Sequence, residues 1–137
     1  MLTETGCRAR RERLWNAMDQ RPDWIIIRDP QHLMYFAGYF QSPFVFRTSN
    51  AGAMLVLGSD GSSTLVADNL VEVFARDTHV DDVITPVWYR GKESAPHREA
   101  MLVESVFKHM RNCPGQQIGF EAAQVPAGVL EGLRYER

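Results

Sequence analysis

The chain has 137 residues, 45% apolar and 23% charged, which suits one domain with its own core and argues against disorder. Fifteen basic residues against 17 acidic ones leave a formal net charge of −2, so neither nucleic acid nor anionic lipid exerts a general attraction. No apolar run approaches the roughly 20 residues of a membrane span, and the opening MLTETGCRARR lacks the apolar segment of a secretory signal; the expected compartment is the cytoplasm.

The first predicted element is a helix from about Cys7 to Met18, with Leu14, Ala17 and Met18 as a modest apolar stripe and Trp15 at its margin. Arg8, Arg10, Arg11 and Arg13 crowd the same turns and, with Glu12 interleaved, read as a solvated face rather than an anion patch. Cys7 and Cys113 form no C-x-x-C pair and read as two free thiols. After Pro22, the run Trp24-Ile25-Ile26-Ile27 is too short for a helix core and reads as a strand buried on both faces. Asp29-Pro30 then opens a helix: the carboxylate accepts from free backbone N–H groups, and Pro30 has no N–H to lose at the first position. Leu33, Phe36 and Ala37 follow at helical spacing, and Gly38 stands where such a helix stops.

Phe40 to Asn50 contains Pro43 and the polar Arg47-Thr48-Ser49-Asn50, so it reads as a loop. Ala53–Leu57 and Thr64–Ala67 are two strands joined across Gly58-Ser59-Asp60-Gly61, a hairpin. Gly58 and Gly61 do not make a dinucleotide fingerprint, because the third glycine is missing and a strand follows. Asp68 is placed to cap a helix over Asn69–Arg76, in which Leu70, Val73 and Phe74 share a face. Val80–Tyr89 is strand-like but interrupted by Pro86, and Arg90-Gly91-Lys92-Glu93 reads as a polar loop. Ser94 or Ala95 opens the longest helix, with a stripe of Leu102, Val103, Val106, Phe107 and Met110 and a stop at Asn112-Cys113-Pro114-Gly115. Ile118–Phe120 is a short strand, and Pro126 opens a last helix carrying Val129, Leu130 and Leu133. Strands alternating with helices, and one hairpin among crossovers, predict an α/β domain: a mixed sheet with helices on both faces.

Catalytic patterns are missing from the sequence. None of His32, His79, His97 and His109 lies four residues from another, and there is no H-E-x-x-H. Asp81 and Asp82 are neighbours in a predicted strand, so they point to opposite faces and read as solvated charges. Neither G-x-S-x-G nor a phosphate-binding Gly-Lys-Ser/Thr loop occurs.

One stretch, DWIIIRDPQHLMYFAGY from Asp23 to Tyr39, resembles the amino-terminal domain of the creatinase/prolidase/aminopeptidase P family, the pita-bread metallopeptidases and their relatives. The Arg-rich first helix, the later AGAMLVLGSDGSSTLVAD and the Ile118-Gly119-Phe120-Glu121 segment fall in that family's order, so the resemblance runs from about Arg8 to Tyr135. It implies a ribonuclease H-like topology without nuclease activity and a single non-catalytic domain over residues 1–137. The catalytic pita-bread domain lies outside this chain, which stops within a predicted helix and reads as a fragment. Two divalent metal ions (manganese, cobalt or zinc), held by two Asp, one His and two Glu, are implied for that domain and none for this one. The implied partners are the protein's own catalytic domain and a second copy in a homodimer.

Residues of this region in creatinase-like relatives help hold a substrate carboxylate. The resemblance thereby points to Phe46 and Arg47, a guanidinium being suited to a carboxylate, and Trp88-Tyr89 beside Gly91 is a second lining pair. The expected function is a helper domain of an Xaa-Pro dipeptidase- or aminopeptidase-like metallohydrolase. The alternatives are a creatinase-like or other non-peptidase member, or a catalytically inactive protein-interaction module supported by the Arg-rich helix.

Overall fold

The computed structural model describes residues 2–42, 44, 52–94, 97–111 and 117–121. Its first half runs α1 (Glu4–Asn16), β1 (Trp24–Ile27), α2 (Pro30–Ala37), β2 (Ala53–Gly58), β3 (Ser63–Ala67) and α3 (Glu72–Ala75). There follow β4 (Asp82–Ile84), β5 (Tyr89–Arg90), β6 (Glu93–Ser94), α4 (Arg98–Arg111) and β7 (Ile118–Phe120).

The run Trp24–Ile27 forms β1 with every residue buried, as its unbroken apolar character demands. β1, β2 and β3 make an antiparallel meander in which Trp24 faces Gly58 and Ala53 faces Ala67. β7 joins β1 in parallel and β4 joins β3 in parallel, giving a five-stranded sheet of order β4-β3-β2-β1-β7. The carboxyl ends of β1, β3, β4 and β7 and the start of β2 therefore share one rim. Alternation along the strands divides the core in two. Ile25, Ile27, Leu55, Leu57 and Leu65 meet Trp15 of α1, Leu33 and Ala37 of α2 and Ala75 of α3. Trp24, Ile26, Met54, Val56 and Val66 meet Leu102, Val103, Val106 and Met110 of α4. This is the mixed sheet covered on both faces that the sequence pattern predicts.

α2 has the expected ends. Asp29 Oδ1 accepts from the Gln31 amide at 2.8 Å, and Pro30 occupies the first turn. Gly38 closes the helix at φ 71°, a left-handed conformation costly for any residue with a Cβ.

α1 departs from expectation. It starts at Glu4, because the Thr3 hydroxyl accepts from the Gly6 amide. Its buried face is Cys7, Arg11 and Trp15, four residues apart, rather than the stripe of Leu14, Ala17 and Met18. Arg11 is only 5% exposed; its Nη1 donates to the carbonyls of Phe36 and His79, both at 2.8 Å. Arg10 Nε donates to the Tyr35 carbonyl, with the guanidinium 4.9 Å from the Tyr35 ring centroid. Two of the supposed surface arginines are thus fastened to the end of α2. Burial lowers the Arg11 pKa, and Asp81 is the main opposing influence. Cys7 is a buried free thiol; Cys113 lies outside the described residues.

Three further differences have local causes. α3 is one turn, not the span Asn69–Arg76: Asp68 does accept from the Leu70 amide, but the Asn69 amide donates to the Pro86 carbonyl and residues 69–71 form a turn ahead of the helix. Ala75 is its buried residue and Val71, just before it, is also buried, whereas Val73 is 59% exposed. Of Val80–Tyr89 only Asp82–Ile84 pairs with β3; past Pro86 the chain leaves the sheet, and β5 and β6 pair as a separate ribbon turning at Gly91, φ 59°. The supposed loop of Arg90 to Glu93 is therefore a hairpin. Asp81 is also more than a solvated charge, since its Oδ2 accepts from the Ser63 amide and hydroxyl at 2.9 and 2.6 Å. The stop at Asn112–Gly115 and the helix from Pro126 lie outside the described residues.

The Arg11 bonds predict a measurable contrast. Arg11→Ala lowers stability by about 2–4 kcal/mol, seen as a drop in urea midpoint at constant slope. Arg8→Ala, which removes only exposed pairings with Glu4 and Asp81, changes it by less than about 0.5 kcal/mol.

Candidate functional site at the carboxyl rim of the sheet

In open α/β sheets the carboxyl ends of the strands present loops and helix starts to solvent, and ligand sites gather there. In this sheet Arg28 and Asp29 follow β1, Asp68 and Asn69 follow β3, Glu121 follows β7, and Gly52 precedes β2. Arg98 and Glu99 open α4 at the same rim.

Asp68 is fully buried. Its Oδ1 accepts from the Leu70 amide at 2.9 Å and its Oδ2 from Arg98 Nε at 2.5 Å. Arg98 lies with its guanidinium carbon 5.1 Å from the Trp88 ring centroid, a stacking a planar cation favours. Arg98 Nη2 is buried and, among the described residues, has no acceptor. Gly52 allows this crowding: a Cβ there would come within 2.1 Å of Arg98 Nη2 and 2.5 Å of Asp68 Oδ2. Gln41 Oε1 accepts from both the Gly52 amide and the Tyr39 hydroxyl, each at 3.2 Å. Burial raises the Tyr39 pKa well above the usual tyrosine value; the Asp68 carboxylate adds to the rise and Arg98 opposes it.

A second charged group sits by β1 and β7. Arg28 Nη2 donates to Glu99 Oε2 at 2.8 Å. Glu121 Oε2 accepts from the Arg28 and Asp29 amides, both at 2.8 Å, and Glu121 Oε1 meets His32 Nδ1. Consecutive residues at the start of α4 therefore reach the ends of two different strands.

Of the residues singled out from sequence, Trp88 and Tyr89 are at this rim: Trp88 stacks on Arg98, and Tyr89 is 48% exposed. Phe46 and Arg47 lie outside the described residues, between Gln41 and Gly52. The histidines do not converge. His79 donates its amide to Ala37 and directs Nε2 at the Leu2 carbonyl, while His109 packs edge-on to Trp24. Among the described residues no three His, Cys, Asp or Glu side chains are grouped to hold a metal ion, and no helix is long and apolar enough to cross a membrane. Sequence reasoning missed Arg98 and the distant use of Asp68. The available signal was an Asp-Asn pair directly after an apolar strand, a place where a carboxylate can serve the rim as readily as a local cap.

The sequence matches the creatinase/prolidase N-terminal domain family over residues 10–136. The chain belongs to that family. Solved creatinase/prolidase N-terminal domains share its fold at low identity. One from an X-Pro dipeptidase of Streptococcus pyogenes has a TM-score of 0.62 and 17% identity, covering 97% of this chain and 88% of that one. A creatinase/prolidase-like domain from Corynebacterium diphtheriae gives 0.55 and 21%, covering 94% and 86%. The N-terminal domain of an Xaa-Pro dipeptidase from Lactobacillus brevis gives 0.50 and 16%, covering 97% and 85%. No curated protein matches.

Two outcomes follow for this creatinase/prolidase-type rim. Gly52→Ala pushes Arg98 off Asp68 and costs about 1–3 kcal/mol, read as a lower thermal midpoint. For Tyr39, a pKa raised on folding means that its stabilising contribution is intact below about pH 10 and is lost as pH climbs toward the folded value. Urea melts between about pH 9 and about pH 11 show a shallower alkaline loss of stability in Tyr39→Phe than in the unaltered chain.

Proposed function

We propose that this chain is the non-catalytic N-terminal domain of an Xaa-Pro dipeptidase- or aminopeptidase-like metallohydrolase, helping to form a homodimer and to line access to the active site. The observation that carries the reading is the composition of the rim. It gathers a stacked Arg-Trp pair, an exposed Tyr89 and several carboxylates on a chain of the creatinase/prolidase N-terminal domain family. Phe40, Phe44, Val87 and Tyr89 add exposed apolar surface, which suits docking against the catalytic domain or a second copy. In this reading Trp88 and Tyr89, with Phe46 and Arg47, stand near the substrate, and Arg47 offers a fork to its carboxylate. In this reading two divalent metal ions, manganese, cobalt or zinc, are held in the catalytic domain by two Asp, one His and two Glu. The compartment is the cytoplasm.

The rival, an inactive protein-interaction module, drew its support from the Arg-rich helix. With Arg10 and Arg11 bonded internally, that helix no longer presents the patch the rival needs.

The test is cleavage of an Xaa-Pro dipeptide panel with manganese, cobalt or zinc, by the full-length gene product beside the 137-residue chain. Cleavage by the long form alone is expected, with a several-fold higher KM and little change in kcat in Trp88→Ala and in Arg47→Ala. Hydrolysis by the short chain, or silence from both, overturns the reading.

A further inference from the structure

Trp88 is held from two sides by two consecutive residues at the end of β3. Asn69 controls its backbone. The Asn69 amide donates to the Pro86 carbonyl at 3.1 Å. Its side-chain oxygen accepts from the amides of Trp88 at 2.9 Å and Tyr89 at 3.2 Å, and its side-chain nitrogen donates to the Tyr89 carbonyl at 2.5 Å. Asp68 controls the ring indirectly, by fixing the Arg98 guanidinium on which Trp88 stacks.

The residue types are specific to this task. Between β4 and the β5–β6 ribbon the chain runs outside the five-stranded sheet, and there Asn69 bonds the backbone of Pro86, Trp88 and Tyr89. A short carboxamide offers an acceptor and a donor on separate atoms of one planar head, so it can take two amides and reach a carbonyl at once. Arg98 has to be planar to lie along an indole, and its Nε has to reach a carboxylate at the same time; a lysine does only the second. A segment that merely linked β4 to the ribbon would need neither device. A preset aromatic, by contrast, meets a ligand with little ordering cost, which is what a binding wall requires.

We propose that Asp68, Asn69 and Arg98 are positioning residues that preset Trp88 as a rigid wall for the apolar part of a peptide substrate at the rim. The inference rests on the access role proposed above and names the residues that confer its geometry.

Two measurements separate the two ideas. In the 137-residue chain, hydrogen exchange at the Trp88 and Tyr89 amides quickens about tenfold in Asn69→Leu and stays slow in Asn69→Asp, which keeps the acceptor; β2 and β3 amides are unaffected in both. Unchanged exchange in Asn69→Leu overturns the mount. In the full-length gene product, Asn69→Leu raises KM for an Xaa-Pro dipeptide while kcat holds, Asn69→Asp restores most of it, and Asn69→Leu with Trp88→Ala is no worse than Trp88→Ala alone. A raised KM in Trp88→Ala beside a normal one in Asn69→Leu, or losses that simply add, sinks this inference only. A normal KM in Trp88→Ala removes the access reading and this inference together.

Discussion

Every residue of β1, β2 and β3 is buried, and that constraint governs the molecule. A strand without a wet side takes all its hydrogen bonds from neighbouring strands and needs apolar cover above and below. Losing either helical layer would expose half of the core. Among the described residues the burden is uneven, since α1, α2 and α3 share one face while α4 covers the other. α4 therefore has to be placed accurately in register, and apolar packing alone, being non-directional, does not define that register.

The charged residues at the start of α4 supply the direction. Arg98 reaches the end of β3 through Asp68, and Glu99 reaches the end of β1 through Arg28. A buried ion pair returns little net stability once desolvation is counted, and its better-attested contribution is to fix one arrangement over its alternatives. Here the same pair that orients the helix also carries the indole of Trp88. Architecture and candidate site are thus linked through one guanidinium.

Elements whose signals are local were legible in the sequence. β1 was visible in its apolar run, α2 in Asp29-Pro30 and Gly38, the hairpin in its Gly/Asp turn, and α4 in its stripe. Fold class followed from their order and from the family likeness. Arg11, Asp68 and Arg98 were not legible, because their partners are distant in the chain. Arg11 bonds carbonyls 25 and 68 residues away, and Arg98 reaches back 30. An arginine in a charged helix carries no mark that it will be buried, and an Asp after a strand looks the same whether it caps the next turn or holds a remote cation. The site was accordingly half readable: its aromatics stood out by type, and the groups that hold them did not.

Among the described residues β4 is an outer strand of the sheet, which bears on how copies of this domain can associate. β4 has three residues, and the Val83 amide is already engaged by Asp82 Oδ1 at 2.9 Å. Pro86, a little beyond, has no backbone N–H to donate. A foreign strand laid along this edge finds a charged side chain and few donors, the usual protection against sheet extension. Growth into a continuous β-structure is thereby discouraged at β4, and side-chain contact is the easier route to association on this side.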